Sequence, residues 1–384
     1  MLSKRLKSAR IRAGYSMRQL SDQLGGLVSY NAIKKYEDGV MIPSAPVLVS
    51  LAEVLNVSVA YFNRPVRVKI ENVEFRKKTS LPRRQIGVIV ENTRDVLERY
   101  IEVEELLGID SKFDNPIEAQ KINNAADVES AVQSVQSHWK LGTNPIPNVI
   151  EMLEEKEVKV LEFEASSSFD GLSTMVQQYP VVVLNRSFTV ERKRFTALHE
   201  LGHLMMDIAD DAPKEELCNR FAASMLLPKS SLFELMGEKR KSIPSMGELI
   251  SIKEEYGISI QALMRRAFDL GIIDDGVYKS FSRYISRNRT EEGMGSFAGD
   301  EQSNRFNQLV FRLASEGILK MDEAAQLANI SLSRFKNEYH NLDGEELEWQ
   351  DTLNWSSFSN AYGEDVPDYD LSDLKEINPD YDPR

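Results

Sequence analysis

Two of the four histidines, His199 and His203, lie four residues apart in the run Arg194-Phe195-Thr196-Ala197-Leu198-His199-Glu200-Leu201-Gly202-His203. The apolar residues around them recur at helical spacing. On a helix, positions four apart share a face, with Cβ atoms about 5–6 Å apart. Two neutral imidazoles so placed can hold one metal ion, and Glu200 is then left to act as a base on the water that the metal activates. The opposite face must be buried, and Phe195, Leu198 and Met205 supply it in a helix expected over 192–207. Gly202 costs such a helix about 1 kcal/mol relative to alanine, so its place between the histidines implies close approach by another backbone element. The pattern points to metal-assisted hydrolysis.

A third ligand is needed, and the next segment offers it. From Asp211 to Pro228 a second helix is expected, with Asp211 as cap, Pro213 in its first turn and Pro228 as its end. Glu215 and Asn219 are four apart on it. A carboxylate ligand followed one turn later by an amide that orients a ligating histidine is the logic of a His2Glu zinc site. Glu215 is preferred to its neighbour Glu216, although a first-turn acid also suits the helix dipole. Leu217 and Phe221 face the core, and Cys218 reads as a small buried residue. As the one cysteine of the chain it excludes internal disulfides and fits a reducing compartment. Upstream, a helix over 146–156 and strands over 158–163 and 181–184, separated by the Ser/Gly stretch 166–173, suggest a small mixed sheet.

The net charge of −13 conceals an asymmetry. Residues 1–78 hold 14 basic against 6 acidic side chains, and the remainder 33 against 54. A basic head on an acidic body suggests that the head alone meets a polyanion. Within it, helices are expected from Leu2 to about Ile11, from Ser16 to Leu24, over Tyr30–Glu37 behind Ser29, over 45–55 behind Ser44, and over 57–62. Five short helices with a tight turn between the second and third describe a helix-turn-helix unit.

This head resembles the lambda-repressor/Cro (XRE) family, with Val28-Ser29-Tyr30-Asn31-Ala32-Ile33-Lys34-Lys35-Tyr36-Glu37-Asp38-Gly39 at its recognition helix. The resemblance implies double-stranded operator DNA as a partner, bound as a homodimer. Ser29, Tyr30, Asn31 and Lys34 are then candidates for base edges, and Lys35, Arg18 and Lys4 for phosphate. Met17 stands where the family often has a glutamine that touches the backbone, with Gln19 nearby.

Residues from about 118 to 275 resemble the ImmA/IrrE metallopeptidase family in the Arg194–His203 block, in Glu215-x-x-Cys218-Asn219-x-Phe221-Ala222-Ala223, and in Leu226-Leu227-Pro228. Tyr256-Gly257-Ile258-Ser259 and Leu270-Gly271-Ile272-Ile273 resemble its closing helices. The resemblance implies one zinc ion on His199, His203 and Glu215, with Glu200 as general base. The family is known for enzymes that cleave XRE-type repressors and for chains that fuse both modules.

The expected architecture is mainly α with a small mixed sheet (α+β). It comprises a helix-turn-helix domain (1–65), a connector (66–115), a zincin-like domain (116–280), a helical region (281–340) and an acidic tail (341–384) with 13 acidic against 2 basic residues. In the connector, 66–70 and 73–75 read as an extended arm, Arg76, Lys77, Lys78, Arg83 and Arg84 as a basic cluster, and 86–107 as a long helix stopped by Gly108. A helix is expected over 117–139. Residues 324–331 resemble a further helix-turn-helix, assigned to packing for want of basic surplus. No apolar run suits a membrane span and no signal-peptide core begins the chain, so a cytoplasmic location is expected. Two functions follow. One is a transcriptional regulator with a zinc peptidase acting on a repressor or partner protein. The other is an antitoxin-type repressor that neutralises a cognate toxin by binding, with the peptidase fold as scaffold.

Overall fold

A computed structural model of the chain describes residues 1–66, 68 and 82–342. The head is assembled from short helices whose ends are fixed locally: α1 (Leu2–Arg12), α2 (Met17–Gln23), α3 (Tyr30–Glu37) and α4 (Ala45–Val54), then a 3-10 turn at Val59–Asn63. The hydroxyls of Ser16 and Ser29 accept the amides of Gln19 and Ala32, each at 3.2 Å. Ser58 does the same for Tyr61. Such caps contribute about 1 kcal/mol each. Leu6, Leu20, Ile33, Leu51 and Phe62 form a fully buried core beneath them.

The helix α5 (Arg83–Leu107) ends at Gly108, whose φ of +66° explains the glycine. It packs against α1 through two ion pairs, the buried Arg5 with Glu98 and the half-buried Arg12 with Asp95, both at 2.6 Å. Arg10 makes a bidentate pair with Glu37 and so locks α1 onto α3. Part of the head's basic surplus is therefore spent inside the protein. The arm expected over 66–75, apart from Val66 and Val68, and the cluster Arg76–Lys78 lie outside the described residues.

The body follows: β1 (Lys121–Ile122), α6 (Ala125–Trp139), α7 (Val149–Glu155), β2 (Lys159–Phe163), β3 (Gly171–Val176), β4 (Tyr179–Asn185), α8 (Val190–Met205), β5 (Asp207–Ile208), α9 (Lys214–Leu226), α10 (Lys229–Met236), α11 (Met246–Tyr256), α12 (Ile260–Asp269) and α13 (Asp275–Ile285). The sheet order is β2-β4-β3, with β4 parallel to β2 and antiparallel to β3. It is a small mixed sheet, and both faces are covered. Leu172, Val181 and Val183 pack with Ile89, Leu97 and Ile101 of α5. Val160, Val182 and Leu184 join the main core with Ala197, Leu198 and Leu201 of α8. Burial on both faces gives β4 its continuous apolar run.

Two expectations are corrected. The helix over 117–139 begins only at Ala125, because the Asn124 side chain caps it and Lys121–Ile122 pair in parallel with Asp207–Ile208. The Ser/Gly stretch 166–173 is not wholly a connection. From Gly171 it becomes β3, the edge strand beside α8.

The chain divides into two compact units, Met1–Leu309 and Val310–Arg384. In the first, the segment after α13 reaches back to α8. Glu301 is fully buried, pairs with the fully buried Arg194, and accepts the amides of Val149 and Ile150 at 2.9 Å. Arg194 also donates to the carbonyl of Ile146 at 2.7 Å and lies against Gly257, where a Cβ would collide with its guanidinium. The second unit contains most of α14 (Arg305–Ser315), and α15 (Met321–Ala328) and α16 (Leu332–Leu342). The acidic tail from 343 lies outside the described residues. No described helix is long and apolar enough to cross a membrane.

Candidate metal centre and DNA-reading face

One turn after the buried Arg194, α8 turns His199 and His203 outward on one face, their rings edge to face with centroids 4.7 Å apart. Opposite them α9 brings Glu215. The Nε2 atoms of the histidines are 3.1 Å apart, and each lies 3.6 Å from an oxygen of Glu215. A tetrahedral zinc site with bonds of about 2.0–2.1 Å has ligand atoms about 3.3 Å apart along each edge. The three donors thus already form one face of such a site, and they are a group that can hold a metal ion.

Close contact between α8 and α9 makes this possible. A Cβ on Gly202 would meet the Phe221 ring at 3.2 Å. The close approach at Gly202 is therefore by a side chain of α9 and not, as expected, by backbone. Asp211 does not cap that helix, which starts after Pro213. Asn219, expected to orient a histidine, is exposed. Instead the Sγ of the fully buried Cys218 lies 3.1 Å from His203 Nδ1. Residues 215 and 218 are three apart and share a helix face as readily as 215 and 219. With Nε2 turned toward Glu215, Nδ1 is left to the thiol.

Glu200 is buried to 9% exposure. The Ser173 hydroxyl donates to its Oε2 at 2.6 Å. That serine belongs to β3, which lies so close to α8 that a Cβ on Gly171 would meet Thr196 Cγ2 at 2.8 Å and the Val183 carbonyl oxygen at 2.9 Å. Ser173 is a site residue that sequence reasoning missed, since its stretch reads as a turn.

On the head, Tyr30, Asn31, Lys34, Lys35, Arg18 and Lys4 are exposed. The Arg18 guanidinium lies 5.8 Å from the Tyr30 ring centre, which joins α2 and α3 into one surface. Ser29 is exposed, but its hydroxyl is engaged in capping α3. Gln19 accepts from the Ser16 amide and from Arg84 at the start of α5.

Residues 6–62 match the model of a family described as helix-turn-helix, and residues 153–268 match that of a peptidase family described as the IrrE N-terminal-like domain. A search of curated proteins finds no match. The chain joins these two modules.

Proposed function

With a helix-turn-helix module and an IrrE-type peptidase-family domain in one chain, we propose a DNA-binding regulator that hydrolyses peptide bonds in a repressor or partner protein with the help of one zinc ion. The observation that carries this reading is the triangle of His199 Nε2, His203 Nε2 and Glu215, whose edges match a tetrahedral zinc site, with Glu200 beside it and outside the ligand set. Zinc bound there supplies Lewis acidity to a scissile carbonyl and makes a coordinated water more acidic. Glu200 takes the proton of the attacking water and passes it to the leaving amine. Ser173 fixes the direction in which the Glu200 carboxylate points, and Cys218 holds His203 with Nε2 toward the ion.

Operator DNA is bound by the head. Tyr30, Asn31 and Lys34 meet base edges in the major groove, and Lys35, Arg18 and Lys4 meet phosphate. Ser29 serves this face by fixing the start of α3. The chain acts in the cytoplasm as a homodimer, because one such head spans few base pairs. Metal analysis tests the centre. The purified chain is expected to hold about one equivalent of zinc, His199→Ala to hold little, and Glu200→Gln to keep it; a wild-type chain that takes up no zinc from a zinc-supplemented buffer would sink the reading.

A further inference from the structure

Within the unit Val310–Arg384, α14 stops at Gly317, which has φ +68°. Helix α15 follows, and Asn329, also left-handed at φ +59°, turns the chain so that α16 begins three residues later. Val310, Leu313, Ala324, Ala325, Leu327 and Phe335 are buried. The rings of Phe311, Phe335 and Tyr339 pack together with centroids 5.2 to 6.2 Å apart. Two helices joined by a three-residue turn, with a third helix completing a small core, form a helix-turn-helix arrangement.

Helix α16 repeats the register of α3. Ser331 accepts the Arg334 amide at 3.3 Å, as Ser29 accepts that of Ala32. Counted from these caps, the first residue is a large exposed side chain in both, Tyr30 at 41% and Leu332 at 40%. The fourth, Ile33 or Phe335, is fully buried, and the fifth is an exposed lysine, Lys34 or Lys336. Ser333, Arg334 and Asn337 are exposed as well. Those are the first two turns, which in a reading helix meet base edges. Arginine or lysine pairs with guanine, asparagine with adenine, and an apolar side chain with the thymine methyl group.

The unit's lack of basic surplus favours packing, yet its charge is well placed. Arg334 and Lys336 stand on the first two turns of α16, and Lys320 stands just ahead of α15. Glu323 accepts the Lys320 amide at 3.0 Å, which ties it to its own helix start. Glu338 holds Arg334 at 2.7 Å between exposed side chains, a contact weak enough to yield to a phosphate or a base. A face of polar donors with Leu332 as its one large apolar side chain suits a duplex better than a protein partner, whose hot spots are aromatic and desolvated.

We propose that α15 and α16 form a second site for double-stranded DNA, with Ser333, Arg334, Lys336 and Asn337 in the major groove and Lys320 on the backbone.

The test uses the full chain with the photoreactive residue p-benzoylphenylalanine in place of Ser333 or, separately, of Asn31, irradiated with a random-sequence duplex of about 40 base pairs, roughly four helical turns. DNA captured at position 333 is the expected result, and it stands whether or not position 31 also captures DNA. Capture of protein alone at 333, or of nothing, overturns the proposal, and failure at 31 alone overturns the assignment of the head instead. In parallel, Lys320→Gln is expected to reduce the slope of log affinity against log salt by about 0.9, the share of one phosphate contact. An unchanged slope and affinity in this folded variant also overturns it.

Discussion

Helices α3 and α8 each bury one face and present the other to a partner, but they are held in different ways. For α3 the supports are near in sequence: a serine cap, a buried Ile33, and a salt bridge to α1, 27 residues away. For α8 they come from far along the chain. Arg194 and Lys193, one turn before the metal-facing histidines, are fixed by the carboxylate and the carbonyl of Glu301, more than a hundred residues later. A short reading helix can be specified locally because a groove tolerates small shifts through its phosphate contacts. A metal site tolerates few, and three candidate ligands on two helices need a frame that spans the domain.

The sharpest way to break this contrast is Glu301→Ala. It leaves Arg194 charged, buried and without its carboxylate, and the expected loss is about 3–5 kcal/mol of stability in denaturant unfolding. Replacing the pair together, Arg194→Met with Glu301→Gln, is expected to recover part of that, since the Gln oxygen can still accept from the Val149 and Ile150 amides. A loss below about 1 kcal/mol in the single variant would mean that α8 is held locally after all.

Glu154 is another buried acid in this frame, bonded to Ser303 at 2.8 Å. Burial raises its pKa from 4.5 to about 7, against the opposing hydrogen bonds of Ser303 and the backbone. The folded chain therefore keeps this proton between about 4.5 and 7 while the unfolded chain has lost it. The contribution of Glu154 to stability is thus largest below pH 4.5, falls as the pH rises to 7, and is level above. The total change is of order 3 kcal/mol. Glu154→Gln should remove that part of the pH dependence, and an unaltered profile would show that the carboxylate is ionised throughout.

Gly171→Ala probes the seam between β3 and α8. Its methyl group would meet a backbone oxygen, which cannot move aside, so a loss of about 1–3 kcal/mol is expected in thermal unfolding. The smallest effect belongs to the head, where Ser29→Ala is expected to cost about 1 kcal/mol and to weaken operator binding in proportion, read by titration with DNA.

The same contrast explains what was legible in the sequence. The head's helices follow from capping serines, glycine stops and apolar spacing, all within a few residues, and the structure has them nearly as read. That His199 and His203 share a face was also legible, because spacing on a helix fixes a face, and the structure brings Glu215 of α9 to them. Cys218 was not singled out, since spacing alone cannot say whether the third or the fourth residue after Glu215 turns toward His203; the packing of α9 on α8 decides. Ser173 was hidden for a related reason. A run of serines and a glycine reads as a turn, and only pairing with β4 makes an edge strand of it. The break before α6 likewise depends on β5, some 85 residues later.

The most direct measurement compares the zinc-loaded wild-type chain with Glu200→Gln on a mixture of cellular proteins, with new termini read by mass spectrometry. At least one protein is expected to be cut by the wild type, and the same cut to be slowed by about 10²–10⁴-fold in the variant, the range for a lost general base, with zinc content unchanged. Equal cleavage by the two chains, or none by a wild type that holds its zinc, would contradict it.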